Sequence, residues 1–153
     1  MHRGFRGSSP LALDAKGRMA VPAKYRERLR EACGGRLVIT ISREPCLQIY
    51  PLPEWEKLEA QVDRMPGMDS RVANFKRRFF GCAEDCDMDG QGRLLIPARL
   101  RQTVDLGKQA VLVGVVNKFE LWSQARWDAL NETGLAEDLQ DLDLPDALRN
   151  FAL

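Results

Sequence analysis

A chain of 153 residues is one ordinary domain or two very small ones, and 44% hydrophobic with 29% charged residues is the composition of a soluble globular protein. No apolar run approaches the ~18 residues of a membrane span, and the N-terminus MHRGFRGSSP lacks the apolar core of a signal peptide, so a cytoplasmic protein without a membrane partner is expected. The formal net charge of +1 conceals an asymmetry: residues 1–43 carry 10 Lys/Arg against 3 acids, a net +7, and residues 102–153 carry 4 against 9, a net −5. A basic segment of that density suits a polyanion, although a solvated helix face with an acidic tail accounts for charge alone equally well.

Along the chain, Met1–Pro10 reads as a basic, Gly/Ser-containing arm. Leu11–Leu13 starts a short strand, Asp14–Arg18 is a turn and Met19–Val21 the returning strand. Pro22 ends strand pairing and opens a helix over Ala23–Cys33, in which Tyr25, Leu29 and Cys33 form one apolar stripe and Gly34-Gly35 the stop. Arg36–Ile41 and Cys46–Tyr50 form a hairpin. Glu54–Arg64 is helical, with Trp55, Leu58, Val62 and Met65 inside, and so is Ser70–Phe80, with Val72, Phe75 and Phe79 inside and Lys76-Arg77-Arg78 as a solvated basic cluster. Then the order restarts: strand Cys86–Asp89, turn Gly90–Arg93, strand Leu94–Ile96, helix Pro97–Val104, hairpin Ala110–Val116 with Phe119–Trp122, and a helix capped by Ser123. From Thr133 the chain is acidic with interspersed leucines, either a helical tail or disordered.

The restart is a repeat. LDAKGRMAVPAKYR (13–26) and MDGQGRLLIPARLR (88–101) share 6 of 14 positions: Asp14 with Asp89, Gly17 with Gly92, Arg18 with Arg93, Pro22 with Pro97, Ala23 with Ala98 and Arg26 with Arg101. Two copies are too few for a solenoid and fit a pseudo-twofold arrangement instead. A hairpin three residues deep cannot stand alone, so the two copies are expected to interlock into a small closed barrel that hides its edges.

In each turn the Asp can cap backbone N–H groups, and Gly17 and Gly92 supply positive φ. Arg18 and Arg93 are the candidates for base or phosphate contacts, because a two-stranded ribbon fits a DNA major groove and arginine matches both guanine O6/N7 and phosphate. A purely structural ion pair within each turn, Asp14 with Arg18 and Asp89 with Arg93, is the alternative. Cys33, Cys46, Cys82 and Cys86 complete no zinc pattern and the single histidine, His2, is terminal, so neither metal nor cofactor is expected. No nucleophile or phosphate-loop pattern supports an enzyme or a small-molecule substrate.

GFRGSSPLALDAKGRMAVPAKYR, and later GCAEDCDMDGQGRLLIPARLR followed by NKFELWSQARW, resemble the MraZ family of bacterial transcriptional regulators of the division and cell wall gene cluster, from Gly4 to about Glu132. The resemblance implies an α+β fold: two swapped-hairpin SpoVT-AbrB-like repeats forming a pseudo-twofold double-split β-barrel with flanking helices. The units fall at 8–55 and 82–125, with a helical connector at 56–81 and a C-terminal helix and acidic tail at 126–153. It also implies a ring-like homo-oligomer, nucleoid-associated, that binds repeated boxes in double-stranded promoter DNA and represses the cluster, its own promoter included. On that match Lys16, Arg18 and Arg93 face DNA, while Asp14, Gly17, Asp89 and Gly92 structure the turns. Gln91 stands where the first copy has Lys16, so the first turn is expected to carry more of the binding. Arg3 and Arg6 are candidates for further phosphate contacts. The rival is an antitoxin-like or partner-binding module of the same barrel type.

Overall fold

The computed structural model describes residues 4–139, 145–149 and 151. Both halves build the same series of elements from the same local signals. In the first, β1 (Ser8–Ala12) passes through a turn into β2 (Arg18–Ala20). Pro22 sits at the N-cap of α1 (Ala23–Cys33), which buries Tyr25, Leu29 and Cys33 and ends on Gly34 in the left-handed conformation, φ 64°. The hairpin of β3 (Leu37–Ile41) and β4 (Leu47–Pro51) runs directly into α2 (Leu52–Asp63), whose first turn accommodates Pro53. Then follows α3 (Ser70–Phe79), capped by the Asp69 carboxylate accepting from the Arg71 amide. The second half gives β5 (Glu84–Asp85), β6 (Arg93–Leu95), α4 (Ala98–Thr103), β7 (Gln109–Val115), β8 (Lys118–Ser123) and α5 (Gln124–Leu130). The Ser123 hydroxyl caps α5 by accepting from the Arg126 amide at 3.2 Å. Two single turns, α6 (Leu135–Asp138) and α7 (Asp146–Arg149), close the described chain.

The six-stranded sheet has the order β1-β7-β8-β4-β3-β5, all antiparallel. Exchange of the two halves reverses this order onto itself, so the sheet carries the pseudo-twofold axis between β4 and β8. Each half's first strand pairs with the other half's hairpin: β1 lies on β7, with Ser8 opposite Val113 and Ala12 opposite Gln109, and β5 lies on β3. A second ladder joins β2 to β6, with Arg18 opposite Leu95, Met19 opposite Leu94 and Ala20 opposite Arg93. The two sheets establish a mixed, strand-rich fold with strands exchanged between the halves.

Alternation decides what the short ribbon buries. Met19 and Leu94 point inward at 0% and 2% exposure and pack in the main core with Leu29, Leu100, Leu112 and Phe119. On the other face of the large sheet, Val38, Tyr50 and Trp55 form a smaller cluster with Phe79 and Phe80. Among the described residues no helix is long and apolar enough to cross a membrane.

Three expectations from the sequence are corrected. Residues 5–10 are not an arm: Phe5 is buried, packs tilted against Phe119 (centroids 4.4 Å apart) and meets Tyr25 edge-on, and its backbone exchanges hydrogen bonds with Val116. Tertiary pairing with β7 overrides the weak strand propensity of Gly, Ser and Pro there. The stretch 86–89 is not a strand; β5 lies two residues earlier, although the Cys86 and Met88 amides still bond to the Leu37 and Gly35 carbonyls. Finally, α3 buries none of its residues, and Phe75 is 41% exposed, because only the Phe79 end of the helix reaches Tyr50 and Trp55. The proposed tail 133–153 falls partly outside the described residues.

If residues 5–10 belong to the folded core, Phe5→Ala should cost about 3–5 kcal/mol in urea or guanidinium unfolding, the range for a buried phenylalanine. A change below about 1 kcal/mol would return the segment to the status of an arm.

Candidate nucleic-acid interface

The two turns share one hydrogen-bond pattern. In the first, the Asp14 amide donates to the Arg18 carbonyl at 2.9 Å and the Gly17 amide to the Asp14 carbonyl at 2.9 Å. The Asp14 carboxylate accepts at Oδ1 from the Lys16 amide (3.0 Å) and the Arg18 amide (2.9 Å), and at Oδ2 from Arg18 Nε (2.7 Å). In the second, Asp89 Oδ1 accepts from the Gln91 and Arg93 amides, both at 2.9 Å, and Oδ2 from Arg93 Nε at 3.0 Å. The turn needs Asp at its first position because a shorter or longer acceptor would not reach both amides and the guanidinium together.

The carboxylates must stay ionised to do this, and their surroundings ensure it. The bond from the Arg18 amide, foremost, lowers the Asp14 pKa from 3.8 to about 2, with the Arg18 side chain and the Lys16 amide adding to it. The Arg93 amide, foremost, lowers that of Asp89 in the same way. Each Asp engages Nε of its arginine, and among the described residues the Nη groups of Arg18 and Arg93 have no hydrogen-bond partner.

Each turn is also held by the other half of the chain. The Ile96 amide donates to the Gly17 carbonyl at 2.9 Å, and the Val21 amide to the Gly92 carbonyl at 2.8 Å. Arg101 lies across Gly17 and Arg26 across Gly92, so close that a Cβ on Gly17 would fall 2.6 Å from the Arg101 guanidinium carbon, and one on Gly92 2.7 Å from Arg26. With φ of 87° and 78°, both positions favour glycine for the left-handed backbone, and a Cβ at either would displace the arginine that lies across it. Arg26 and Arg101 are themselves anchored by Nε to the carbonyls of Val21 (2.6 Å) and Ile96 (3.1 Å). The sequence signalled both residues as a repeat identity, but their role as cross-braces appears only when the halves are brought together.

The outcome is one outward face. Because Met19 and Leu94 point in, Arg18, Ala20, Arg93 and Leu95 point out from the β2–β6 ribbon. Arg18 and Arg93 are diagonal neighbours in this register, roughly 7–8 Å apart at the backbone. Lys16 and Gln91 are exposed at the two turn tips. Arg6 is not brought to this face: it lies beyond the other end of β1, roughly 25 Å along the strand from Asp14 at the usual rise per residue, where its carbonyl accepts from the Tyr25 hydroxyl. Arg3 lies outside the described residues. Among the described residues no cluster of three or more His, Cys, Asp or Glu could hold a metal ion.

Fold and site together define a class: a protein of two interlocked β repeats that offers a pair of carboxylate-braced arginines from a single ribbon. The family model described as "MraZ protein, putative antitoxin-like" matches residues 5–78 and again residues 79–151. The chain belongs to the MraZ family. Among its relatives is the transcriptional regulator MraZ of Pseudomonas aeruginosa strain PAO1, 46% identical over 150 residues, 97% of this chain and 99% of the relative. The transcriptional regulator MraZ of Methylococcus capsulatus is 47% identical over 133 residues, 87% and 88% of the two chains. That of Pseudomonas putida F1 is 43% identical over 150 residues, 97% and 99%.

Two outcomes test the brace. A depressed carboxylate pKa contributes stability fully above its unfolded value, here 3.8, and loses it as pH falls through the folded value, here about 2. The Arg18 Nε–H resonance should therefore titrate with a midpoint near 2, and a midpoint near 3.8 would mean that the brace does not form. Gly17→Ala should destabilise the fold by more than the ~1 kcal/mol of left-handed strain alone, because Arg101 must also move; a neutral effect in thermal unfolding would count against the cross-brace.

Proposed function

We propose that this chain is a sequence-specific DNA-binding transcriptional regulator that lays the β2–β6 ribbon into the major groove, with Arg18 and Arg93 contacting guanine edges or phosphates. The observation that carries this reading is the pairing of the two arginines on one outward face, each with Nε held by its own aspartate and Nη groups left for a ligand. An arginine oriented in advance loses less freedom on binding, and a bidentate arginine–guanine pair discriminates by about 1–3 kcal/mol per base. Lys16 adds a cation to the first turn that Gln91 does not supply to the second. The naming of the relatives as transcriptional regulators supports the regulatory role.

On this reading the units 8–55 and 82–125 close into the swapped-hairpin double-split barrel, with 56–81 as connector and 126–153 as tail. Two arginines are few for a specific site. A ring-like homo-oligomer reading repeated boxes would add avidity through effective concentration, and the target would be the division and cell wall promoter, its own gene included, under repression. Such a protein acts in the cytoplasm at the nucleoid and needs no catalytic group. The antitoxin-like label of the family supports a second reading, a module that captures a small co-encoded partner; pull-down of such a partner decides it.

Fluorescence anisotropy with DNA from upstream of its own gene tests the reading. Arg18→Ala should abolish specific binding with size-exclusion behaviour unchanged, and Arg93→Ala should cost less. Wild-type affinity in Arg18→Ala would overturn the role of the turn, and equal losses would overturn the ranking. The slope of log K against log salt should be clearly negative, and a slope near zero would exclude phosphate contacts.

A further inference from the structure

The outward face of the ribbon holds one residue that charge does not explain. Leu95 is 56% exposed, lies opposite Arg18 in the ladder and shares a face with Arg93. A lone exposed leucine is ordinary on a protein surface, but this one stands within the arginine pair, about 4.5–5.5 Å from Arg18 between Cβ atoms. It is held there from behind: Leu94 and Ile96 on either side are buried at 2% and 0%, and the Cys86 thiol donates to the Leu95 carbonyl at 3.4 Å. The pseudo-twofold axis puts Ala20 in the equivalent place, opposite Arg93. The charges of the face are therefore nearly symmetric, while its apolar contacts are not: one arginine faces a methyl group and the other an isobutyl group.

An alkyl side chain carried into the major groove finds one apolar group on the base edges, the 5-methyl of thymine. We propose that Leu95 is a specificity-determining residue that packs on a thymine methyl next to the base pair contacted by Arg18. The Ala20/Leu95 difference then gives the ribbon a preferred direction along the duplex. This rests on the DNA-binding reading above and names what that site selects besides guanine.

The test uses two duplexes of the region upstream of the gene, one synthesised with thymine and one with uracil throughout, so that they differ only in the 5-methyl groups. Wild-type protein should bind the thymine duplex about fourfold tighter per contact, the worth of one buried methyl-sized group. Leu95→Ala should bind both duplexes at the weaker, uracil-like level. Arg93→Ala should leave the wild-type ratio intact while weakening both affinities. Three results would overturn the assignment: equal wild-type affinity for the two duplexes, the same thymine preference in wild type and Leu95→Ala, or a changed oligomeric state in Leu95→Ala, which would make Leu95 a contact between copies. Absence of specific binding to the thymine duplex would instead remove the DNA-binding reading itself.

Discussion

A ribbon of three residues on each strand has too few hydrogen bonds to hold its own shape, and the rest of the molecule follows from how that deficit is met. Here it is met by exchange. Each turn hands its glycine carbonyl to an amide of the other half, Gly17 to Ile96 and Gly92 to Val21, and each glycine is covered by the other half's arginine. Neither turn can be built without its counterpart. The strand exchange in the six-stranded sheet, β1 onto β7 and β5 onto β3, works in the same sense. The two sequence repeats are thus halves of one cooperative unit, and the arginines on the ribbon are positioned by both at once.

The same constraint clarifies what the aspartates do. Two arginines about 7–8 Å apart in high-dielectric surroundings repel each other by only about 0.5 kcal/mol. Neutralising them is therefore a minor service. The carboxylates instead fix direction: each joins two turn amides and an Nε, so that turn conformation and guanidinium orientation are set together. The alternative of a purely structural ion pair and the reading of a ligand-facing arginine are not exclusive, since the ion pair occupies one nitrogen of three.

Much of this was legible in the sequence, because the signals are local. Asp14 and Asp89, Gly17 and Gly92, and the Pro-Ala pairs at 22–23 and 97–98 mark turns and helix starts by chemistry that needs no distant partner. The stripe Tyr25, Leu29, Cys33 is buried as its spacing demands. What escaped was whatever depends on the partner half. Phe5 is a single apolar residue among Gly, Arg and Ser, and only the aromatic slot between Tyr25 and Phe119 makes it core. Arg26 and Arg101 look like solvated helix residues until the opposite glycine is placed beneath them. Periodicity assigned Phe75 to the interior, but only the Phe79 end of α3 reaches Tyr50 and Trp55, so an amphipathic pattern did not imply burial. Arg6, a candidate for a further phosphate contact, lies a strand's length from the turns, where its carbonyl accepts from the Tyr25 hydroxyl.

The most direct test of the central claim, that one ribbon carries Arg18 and Arg93 together into the major groove, is dimethyl sulfate footprinting on the DNA upstream of the gene. This reagent methylates guanine N7, the atom on which a groove-bound arginine would sit. The account requires protection of neighbouring guanines by wild-type protein, the whole protection lost in Arg18→Ala and one of these guanines alone exposed in Arg93→Ala. Binding without N7 protection, or protections that both variants leave unchanged, would contradict it.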